Sequence, residues 1–151
     1  MGLFYVGCRV LNPANAESTA VRRLIVDTGA ESTWIAANLL EGIGIERRKK
    51  DLQFQLAYGQ IITRSVGYAV LKVDKSETVD EVVFAEAGDL QLLGARALEG
   101  LNLRVDSRRK RLVAAGPIVS AAAVPPRFGQ LVQVPKKAPK ISGTTRTKRP
   151  Q

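Results

Sequence analysis

Short apolar runs separated by turn signals make up most of the chain before residue 116. Leu3–Leu11 is rich in Val, Leu and aromatic residues, and it stops at Asn12-Pro13-Ala14-Asn15, a sequence typical of turns. Ala20–Val26 follows as a second apolar run, interrupted only by two arginines. The two runs predict a β-hairpin whose second strand leads directly into the triplet Asp27-Thr28-Gly29.

The same pattern continues towards residue 115. Leu52–Leu56 alternates apolar and polar residues, which is the period of a strand with one buried face. Helical periodicity is confined to two short segments, Ile35–Leu40 and Ala95–Leu101. No internal repeat indicates a solenoid, so the predicted fold class is all-β with one or two short helices. The remaining strands are predicted at Ile61–Val73 with a break at Gly67, at Thr78–Ala85, and in a final hairpin of Leu103–Asp106 and Arg111–Ala115.

Length and charge set the predicted domain organisation. The chain has 151 residues, which is enough for one ordinary domain. Six of the seven prolines lie from Pro117 onward, where apolar periodicity fades, so we predict a folded domain over residues 1–116 and a flexible tail over residues 117–151. The net charge is +9, and seven of these positive charges lie in the tail, which contains no acid, so residues 1–116 carry only +2. Two interpretations of the tail stay open: weak contact with nucleic acid or an anionic surface through charge alone, or a solubilising or processing-prone segment that is also a candidate site of self-cleavage.

The absence of histidine restricts the chemistry. The chain has no histidine and one cysteine, Cys8. Catalytic Ser-His-Asp and Cys-His arrangements are therefore excluded, and too few ligands remain for a zinc or iron–sulfur site. We expect no metal and no cofactor. The lone cysteine, together with the lack of a secretory signal and of a membrane-length apolar run, predicts a cytoplasmic protein without a membrane span.

The triplet Asp27-Thr28-Gly29 is the most informative segment. An apolar strand leads into it, and the small residue Ala30 follows. In this setting the sequence resembles the retropepsin-like aspartic proteases, the single-domain family that includes the retroviral proteases. Leu92-Leu93-Gly94 resembles the apolar-apolar-Gly block of that family, and the Tyr58-Gly59 turn lies where the family places its flap. The resemblance covers about residues 3–115.

The resemblance implies a fold, an activity and a set of site residues. The implied fold is a closed β-barrel that is active as a twofold symmetric homodimer, and the implied activity is that of an aspartic endopeptidase acting on polypeptides. Asp27 is implied to be the catalytic residue. Thr28, Gly29 and Ala30 would form the active-site loop, with the Thr28 hydroxyl locking it. The residues implied to contact substrate are Glu31, Tyr58 and Gly59.

Carboxylate chemistry explains why the triplet has to be present twice in an active enzyme. Peptide hydrolysis without metal or histidine needs a general base and a general acid, and two carboxyl groups that share one proton supply both. The chain contains one Asp-Thr-Gly, and the closest other candidate, Asp106-Ser107-Arg108, has arginine in place of glycine. Each of two copies would therefore contribute Asp27, and activity should be highest at mildly acidic pH.

The sequence departs from the retroviral members at one place. Those proteases carry an arginine directly after the apolar-apolar-Gly block, and it pairs with an acid two residues after the catalytic glycine. Here Ala95 takes that position and Arg96 comes one residue later, which puts a pairing between Arg96 and Glu31 in question.

Several of these features have simpler interpretations. Asp27-Thr28-Gly29 also suits an ordinary turn at a strand end, and Trp34 is more typical of core packing than of a binding site. Arg47–Lys50 and Arg108–Arg111 are interpreted as solvated loops. The alternative to an enzyme is a catalytically inactive dimeric binding module of the same fold, whose basic tail engages nucleic acid or a protein partner.

Overall fold

The part of the chain that the structure describes consists mainly of strands. The computed structural model describes residues 2–118. The strands are β1 (Tyr5–Leu11), β2 (Ser18–Val26), β3 (Thr33–Ala36), β4 (Lys49–Gln55), β5 (Ile61–Val73), β6 (Ser76–Ala85), β7 (Leu92–Leu93), β8 (Leu103–Asp106) and β9 (Arg111–Ala114), and the helices are α1 (Ala37–Gly42) and α2 (Ala95–Gly100). The prediction of mostly β structure with two short helices is confirmed. Within residues 2–118, no helix is long and apolar enough to cross a membrane.

The predicted division into a domain over residues 1–116 and a tail over residues 117–151 stays a prediction. All but the first two residues of that tail, Pro117 and Ile118, lie outside the described residues.

Seven strands form one sheet in the order β1-β2-β7-β3-β6-β5-β4, and β1 also pairs with β5. The predicted β1–β2 hairpin is antiparallel, as is the β5–β6 pair. In contrast, β2 pairs with β7 and β3 pairs with β6 in parallel, so segments far apart in sequence lie side by side. The predicted final hairpin forms from β8 and β9, and its tip exposes Arg108–Arg111, as predicted.

Inward-facing residues of the strands build the core. In the β1–β5 pair, Val10 and Leu71 face each other and are fully buried, whereas the neighbouring pair, Arg9 and Lys72, is exposed. This is the alternation that a strand with one buried face requires. Cys8 also faces the core, and burial raises the pKa of its thiol to about 11.

The predicted helix over Ile35–Leu40 is wrong for its first residues. Ile35 lies in β3, where it pairs in parallel with Phe84 of β6, and α1 begins only at Ala37. Both Ile35 and Phe84 are fully buried. In a short apolar segment, periodicity does not distinguish a buried strand from a helix. The presence of a neighbouring strand to pair with therefore determines which of the two forms.

The predicted break of the strand at Gly67 is also wrong. β5 continues through Gly67, which pairs with Val82 of β6. A Cβ atom at this position would lie 2.5 Å from the carbonyl oxygen of Glu46 and 2.8 Å from Cγ2 of Ile45. Glycine is therefore required by the close approach of another chain segment, because no larger residue fits there.

The interpretation of Arg47–Lys50 as a solvated loop is correct only in part, because Arg48, Lys49 and Lys50 are exposed but β4 begins at Lys49 and Arg47 is half-buried. The guanidinium carbon of Arg47 lies 4.4 Å from the centre of the Phe84 ring, a cation–π arrangement. Lys49 is the first residue of β4, and its ammonium group forms an ion pair with Glu81 of β6. Both cations therefore have a partner within the domain, which the charge run alone does not reveal.

Candidate active site

Asp27 directly follows the last residue of β2. Val26 is buried and pairs with Leu93 of β7, and the backbone N–H of Asp27 donates to the Leu93 carbonyl oxygen over 3.1 Å. The parallel β2–β7 pairing therefore determines where the backbone of Asp27 lies. Asp27 itself is half-buried.

The backbone after Asp27 folds back onto its side chain. The N–H of Gly29 donates to Oδ1 of Asp27 over 2.9 Å, and the N–H of Ala30 donates to the Asp27 carbonyl oxygen over 3.3 Å. A Cβ atom on Gly29 would lie only 3.3 Å from the same Oδ1, a tight contact that favours glycine. This Asx-turn orients one carboxylate oxygen, and within residues 2–118 the other oxygen, Oδ2, has no hydrogen bond.

The start of α2 holds the rest of this loop. The N–H of Ala95 donates to the carbonyl oxygen of Ala30 over 2.7 Å, and the N–H of Arg96 donates to that of Glu31 over 3.2 Å. The first N–H groups of a helix have no acceptor inside the helix. Here the loop carbonyls accept from them, so the loop after Asp27 and the start of α2 stabilise each other.

A buried hydroxyl group adds a further connection between the same two segments. Thr33 is fully buried, and its Oγ1 accepts a hydrogen bond from the N–H of Gly94 over 3.0 Å. A Cβ atom on Gly94 would lie 2.6 Å from the carbonyl carbon of Ser32 and 2.9 Å from the carbonyl oxygen of Glu31. Gly94 therefore permits this close approach. Thr33 is not among the predicted site residues, although its place in the Ser32-Thr33 pair, between the motif and Trp34, is a signal that could have found it.

Arg96 contacts different partners from those of the corresponding arginine in the retroviral pattern. Its Nη2 lies 3.2 Å from Oγ of Ser32 and 3.7 Å from Oε2 of Glu81. Among the described residues Arg96 forms no ion pair with Glu31, whose side chain is exposed. The displacement of the arginine by one position thus directs the guanidinium group to Ser32 and to β6. No sequence pattern singles out Ser32 or Glu81.

The other predicted site residues occupy two places. Thr28 is exposed next to Asp27, and within the described part of the chain its hydroxyl makes no hydrogen bond. Tyr58 and Gly59 lie in the turn between β4 and β5, where Tyr58 is 77% exposed and Gly59 has a φ of +89°, which favours glycine. The structure thus gathers residues 27–31 in one loop and puts the other two at the tip of a hairpin, and their roles stay predictions.

An aromatic contact joins that hairpin to the strand that follows the Asp27 loop. The rings of Trp34 in β3 and Phe54 in β4 have centroids 5.1 Å apart and planes inclined by 67°, an edge-to-face arrangement. Both side chains are half-buried, and Trp34 also pairs with Leu92 of β7. Trp34 therefore packs against β4, but it is half-buried and lies outside the buried core of residues 2–118, so its predicted core packing is correct only in part.

The chemistry open to this loop is that of a positioned carboxyl group. Among residues 2–118, no group of three His, Cys, Asp or Glu side chains is placed to hold a metal ion. A single carboxyl group acts either as an acid or as a base in one step, so a reaction that needs both requires a second group. Two such loops brought face to face would supply it, because adjacent carboxylates share one proton.

Comparison with protein families adds an independent observation. The family described as gag-polyprotein putative aspartyl protease matches residues 16–100, more than half of the chain. The chain belongs to this family. The predicted retropepsin-like aspartic protease family is thereby confirmed. No curated protein matches the chain.

The match to the aspartyl protease family includes the segments that build the site. Residues 16–100 contain the Asp27 loop, the β4–β5 hairpin, β7 and the whole of α2. Membership in this family supports the general assignment of the chain as a protease, a class of enzyme whose substrates are polypeptides.

Proposed function

We propose that the protein is an aspartic endopeptidase whose active form is a homodimer with one Asp27 from each copy. The observation that carries the proposal is the position of Asp27 at the end of β2, with Oδ1 held by the N–H of Gly29 and Oδ2 without a partner in residues 2–118. Family membership supports this assignment. One triplet per chain supports the dimer, because the chemistry needs two carboxyl groups.

Proton sharing would divide the catalytic roles between the two subunits. Adjacent carboxylates cannot both ionise easily, so in the active dimer one would hold a proton while the other is charged. The charged Asp27 takes a proton from water as the water oxygen attacks the peptide carbonyl carbon. The protonated Asp27 of the partner subunit then gives its proton to the leaving amide nitrogen as the C–N bond breaks. No covalent intermediate forms with the enzyme.

The residues around Asp27 would support this reaction in different ways. Gly29 orients the carboxylate through its N–H, and Ala30 lines the floor of the site. Thr28 presents an exposed hydroxyl beside Asp27, where it is available to lock the loop against a second copy. Glu31 at the end of the loop and the Tyr58-Gly59 turn at the tip of the β4–β5 hairpin would contact the substrate.

The proposed dimer would be built from two barrel-like domains. The pairing of β1 with β5, in addition to the order β1-β2-β7-β3-β6-β5-β4, supports a closed β-barrel. A twofold axis next to the two Asp27 loops would leave a cleft between the subunits, which the two β4–β5 hairpins would cover.

Digestion of a peptide library by the full-length chain at mildly acidic pH tests the proposal. We expect cleavage that is inhibited by a statine-type inhibitor and abolished by Asp27→Asn. Asp74→Asn is the matched control, because Asp74 lies exposed in the β5–β6 turn at a φ of +51°, which asparagine also adopts. Specific activity should also fall on dilution below the dimer dissociation constant. Absence of cleavage that depends on Asp27 would refute the proposal.

A catalytically inactive binding module is the second candidate function. The charge distribution favours it, because seven of the nine net positive charges lie in residues 117–151. If the digestion shows no cleavage while the full-length chain binds nucleic acid with an affinity that falls steeply with salt, this candidate replaces the enzyme.

A further inference from the structure

The side chain of Glu81 contacts two cations that come from different parts of the fold. Its Oε1 accepts from the ammonium group of Lys49, the first residue of β4. Its Oε2 lies 3.7 Å from Nη2 of Arg96 in α2. Each carboxylate oxygen therefore has its own cation, and the side chain forms a bridge from the β4–β5 hairpin to α2.

The Arg96 end of this bridge reaches the active-site loop. The same Nη2 lies 3.2 Å from Oγ of Ser32, and the backbone N–H of Arg96 donates to the carbonyl oxygen of Glu31. Glu31 and Ser32 follow Ala30 directly in the loop that begins at Asp27. A shift of the Arg96 guanidinium group would therefore be transmitted to the loop.

The Lys49 end reaches the hairpin that carries Tyr58. β4 is the last strand in the order of the sheet, and within residues 2–118 it pairs with β5 alone. Most of its residues are exposed. The hydrogen bond to Glu81 raises the pKa of Lys49. This ion pair adds to the contacts that connect the hairpin to the rest of the domain, which include the Trp34–Phe54 contact, the Arg64–Asp89 ion pair and the pairing of β5 with β6.

The exposure of these side chains limits what the bridge contributes. Lys49, Glu81 and Arg96 are 43%, 27% and 41% exposed. Ion pairs this accessible to water add little to the stability of a whole fold, and each changes an equilibrium between conformations by about two- to fivefold. A change of that size is small for folding but measurable for the position of a hairpin over a binding site.

We propose that Glu81 is a positioning residue that couples the β4–β5 hairpin to the active-site loop. The inference rests on the proposed endopeptidase function, because it assigns the hairpin to the substrate side of the site. The ion pair with Lys49 connects Glu81 to the hairpin, and the ion pair with Arg96 connects Glu81 to the loop.

Kinetics of peptide cleavage by the full-length chain test this coupling through three substitutions. Lys49→Gln should raise KM about two- to fivefold with kcat nearly unchanged, because only the hairpin loses a contact. Arg96→Gln should lower kcat by a similar factor, because the loop after Asp27 is released. Glu81→Gln should show both effects, since the neutral amide lacks the negative charge that holds the two cations and presents an NH2 donor in place of one oxygen.

Two comparisons separate coupling from a general loss of structure. Adding Lys49→Gln to Glu81→Gln should raise KM no further, because the contact is already lost. Glu77→Gln is the matched control: Glu77 lies on the same strand, and its carboxylate pairs with Lys72 at 3.2 Å. It should leave KM and kcat unchanged. Additive effects in the double variant, or equal effects of Glu77→Gln, would overturn the proposal.

Hydrogen exchange keeps the test independent of catalysis. In the full-length chain, Glu81→Gln should speed amide exchange in two separate segments, residues 49–55 and residues 27–33, while Glu77→Gln should not. If exchange in only one segment changes, Glu81 does not couple them. Should the wild-type chain fail to cleave any peptide, the proposed function fails, and hydrogen exchange still decides whether Glu81 joins the two segments.

Discussion

Thr33 and Gly94 are joined by a hydrogen bond between residues that lie 61 positions apart, with the buried Thr33 hydroxyl accepting from the Gly94 N–H over 3.0 Å. The bond lies where β3 begins and where β7 passes into α2. It therefore connects the two segments that hold the Asp27 loop in place. A buried N–H without an acceptor is costly, so this contact should matter for stability as well as for the geometry of the loop.

Thr33→Val should destabilise the domain by about 1–3 kcal/mol, because valine has nearly the same shape as threonine and leaves the Gly94 N–H unpaired in the core. Thr33→Ser keeps the hydroxyl and removes one methyl group, so its cost should be smaller, about 1 kcal/mol. Urea unfolding of the full-length chain measures both. An equal or larger loss for Thr33→Ser would show that packing of the methyl group, rather than the hydrogen bond, dominates.

Gly94→Ala should destabilise the domain by about 1–3 kcal/mol and impair cleavage, because the added Cβ atom would meet the backbone of Ser32 and Glu31. Gly42→Ala is the control. Gly42 is the last residue of α1, and nothing lies within 4 Å of the position that its Cβ atom would take. This control should be neutral or stabilising by up to about 1 kcal/mol. Thermal unfolding of both variants measures these effects. Equal melting temperatures of Gly94→Ala and Gly42→Ala would contradict the prediction.

Asp89 should stabilise the domain at neutral pH and lose this effect in acid. Arg64 binds it through two hydrogen bonds, Nε to Oδ2 over 2.6 Å and Nη2 to Oδ1 over 2.9 Å, and both side chains are only 14% exposed. These bonds hold the pKa of Asp89 below its ordinary value of 3.8. A lowered pKa in the folded state means that the stabilisation is complete above pH 3.8 and disappears as pH falls through the folded pKa.

Asp89→Asn should therefore lower the free energy of unfolding by about 2 kcal/mol at neutral pH. This difference from wild type should shrink as the pH falls below 3.8 and through the folded pKa of Asp89. Urea unfolding at a series of pH values measures the difference. Glu77→Gln, which breaks the exposed pair with Lys72, should cost well under about 1 kcal/mol throughout. A cost of Asp89→Asn that does not change with pH would rule out the carboxylate charge as its source.

The effect of Asp80 on the stability of the domain should depend on pH in the opposite way to that of Asp89. Burial raises the pKa of Asp80 above 3.8, and its Oδ2 is buried without a hydrogen-bond partner among the described residues. A raised pKa in the folded state means that stability is highest below the ordinary pKa and falls as pH rises through the folded pKa. Asp80→Asn removes the charge, so it should be more stable than wild type at neutral pH by about 1 kcal/mol, with no gain in acid.

Unfolding of Asp80→Asn beside Asp74→Asn checks this expectation. The second substitution removes the same charge from an exposed turn and should leave the pH profile unchanged. If Asp80→Asn is less stable than wild type at neutral pH, the carboxylate makes a favourable interaction that outweighs the cost of its burial.

Local pattern and motif spacing predict much of this fold. The period-2 alternation of β1 and of the second half of β5 follows from which residues can face a core, and that rule needs no partner to be known. The same alternation in Leu52–Leu56 predicts a buried face that β4 lacks, since Leu52 is exposed and Phe54 is only half-buried. Short hairpins such as β8–β9 follow from the turn residues between two apolar runs. The triplet at Asp27 and the segment Leu92-Leu93-Gly94 likewise indicate the family, because such motifs are recognised from the order of residue types along the chain.

Contacts between distant segments could not be predicted in this way. Ile35 is a strand residue because β6 offers Phe84 as its parallel neighbour, and Gly67 is glycine because the carbonyl of Glu46 approaches it. The roles of Thr33 and Glu81 depend on groups that the fold brings beside them.

The amino-acid sequence by itself determined which faces of the strands are buried, which class of chemistry remains open to a chain without histidine, and where the catalytic candidate Asp27 lies. Only the tertiary structure decided what holds the loop after Asp27: the start of α2, the Thr33 hydroxyl and the Arg96 side chain. The physical reason is that burial preference is a property of each residue and its neighbours in the chain. A hydrogen bond or ion pair instead depends on two groups whose separation is set by the packing of the whole domain.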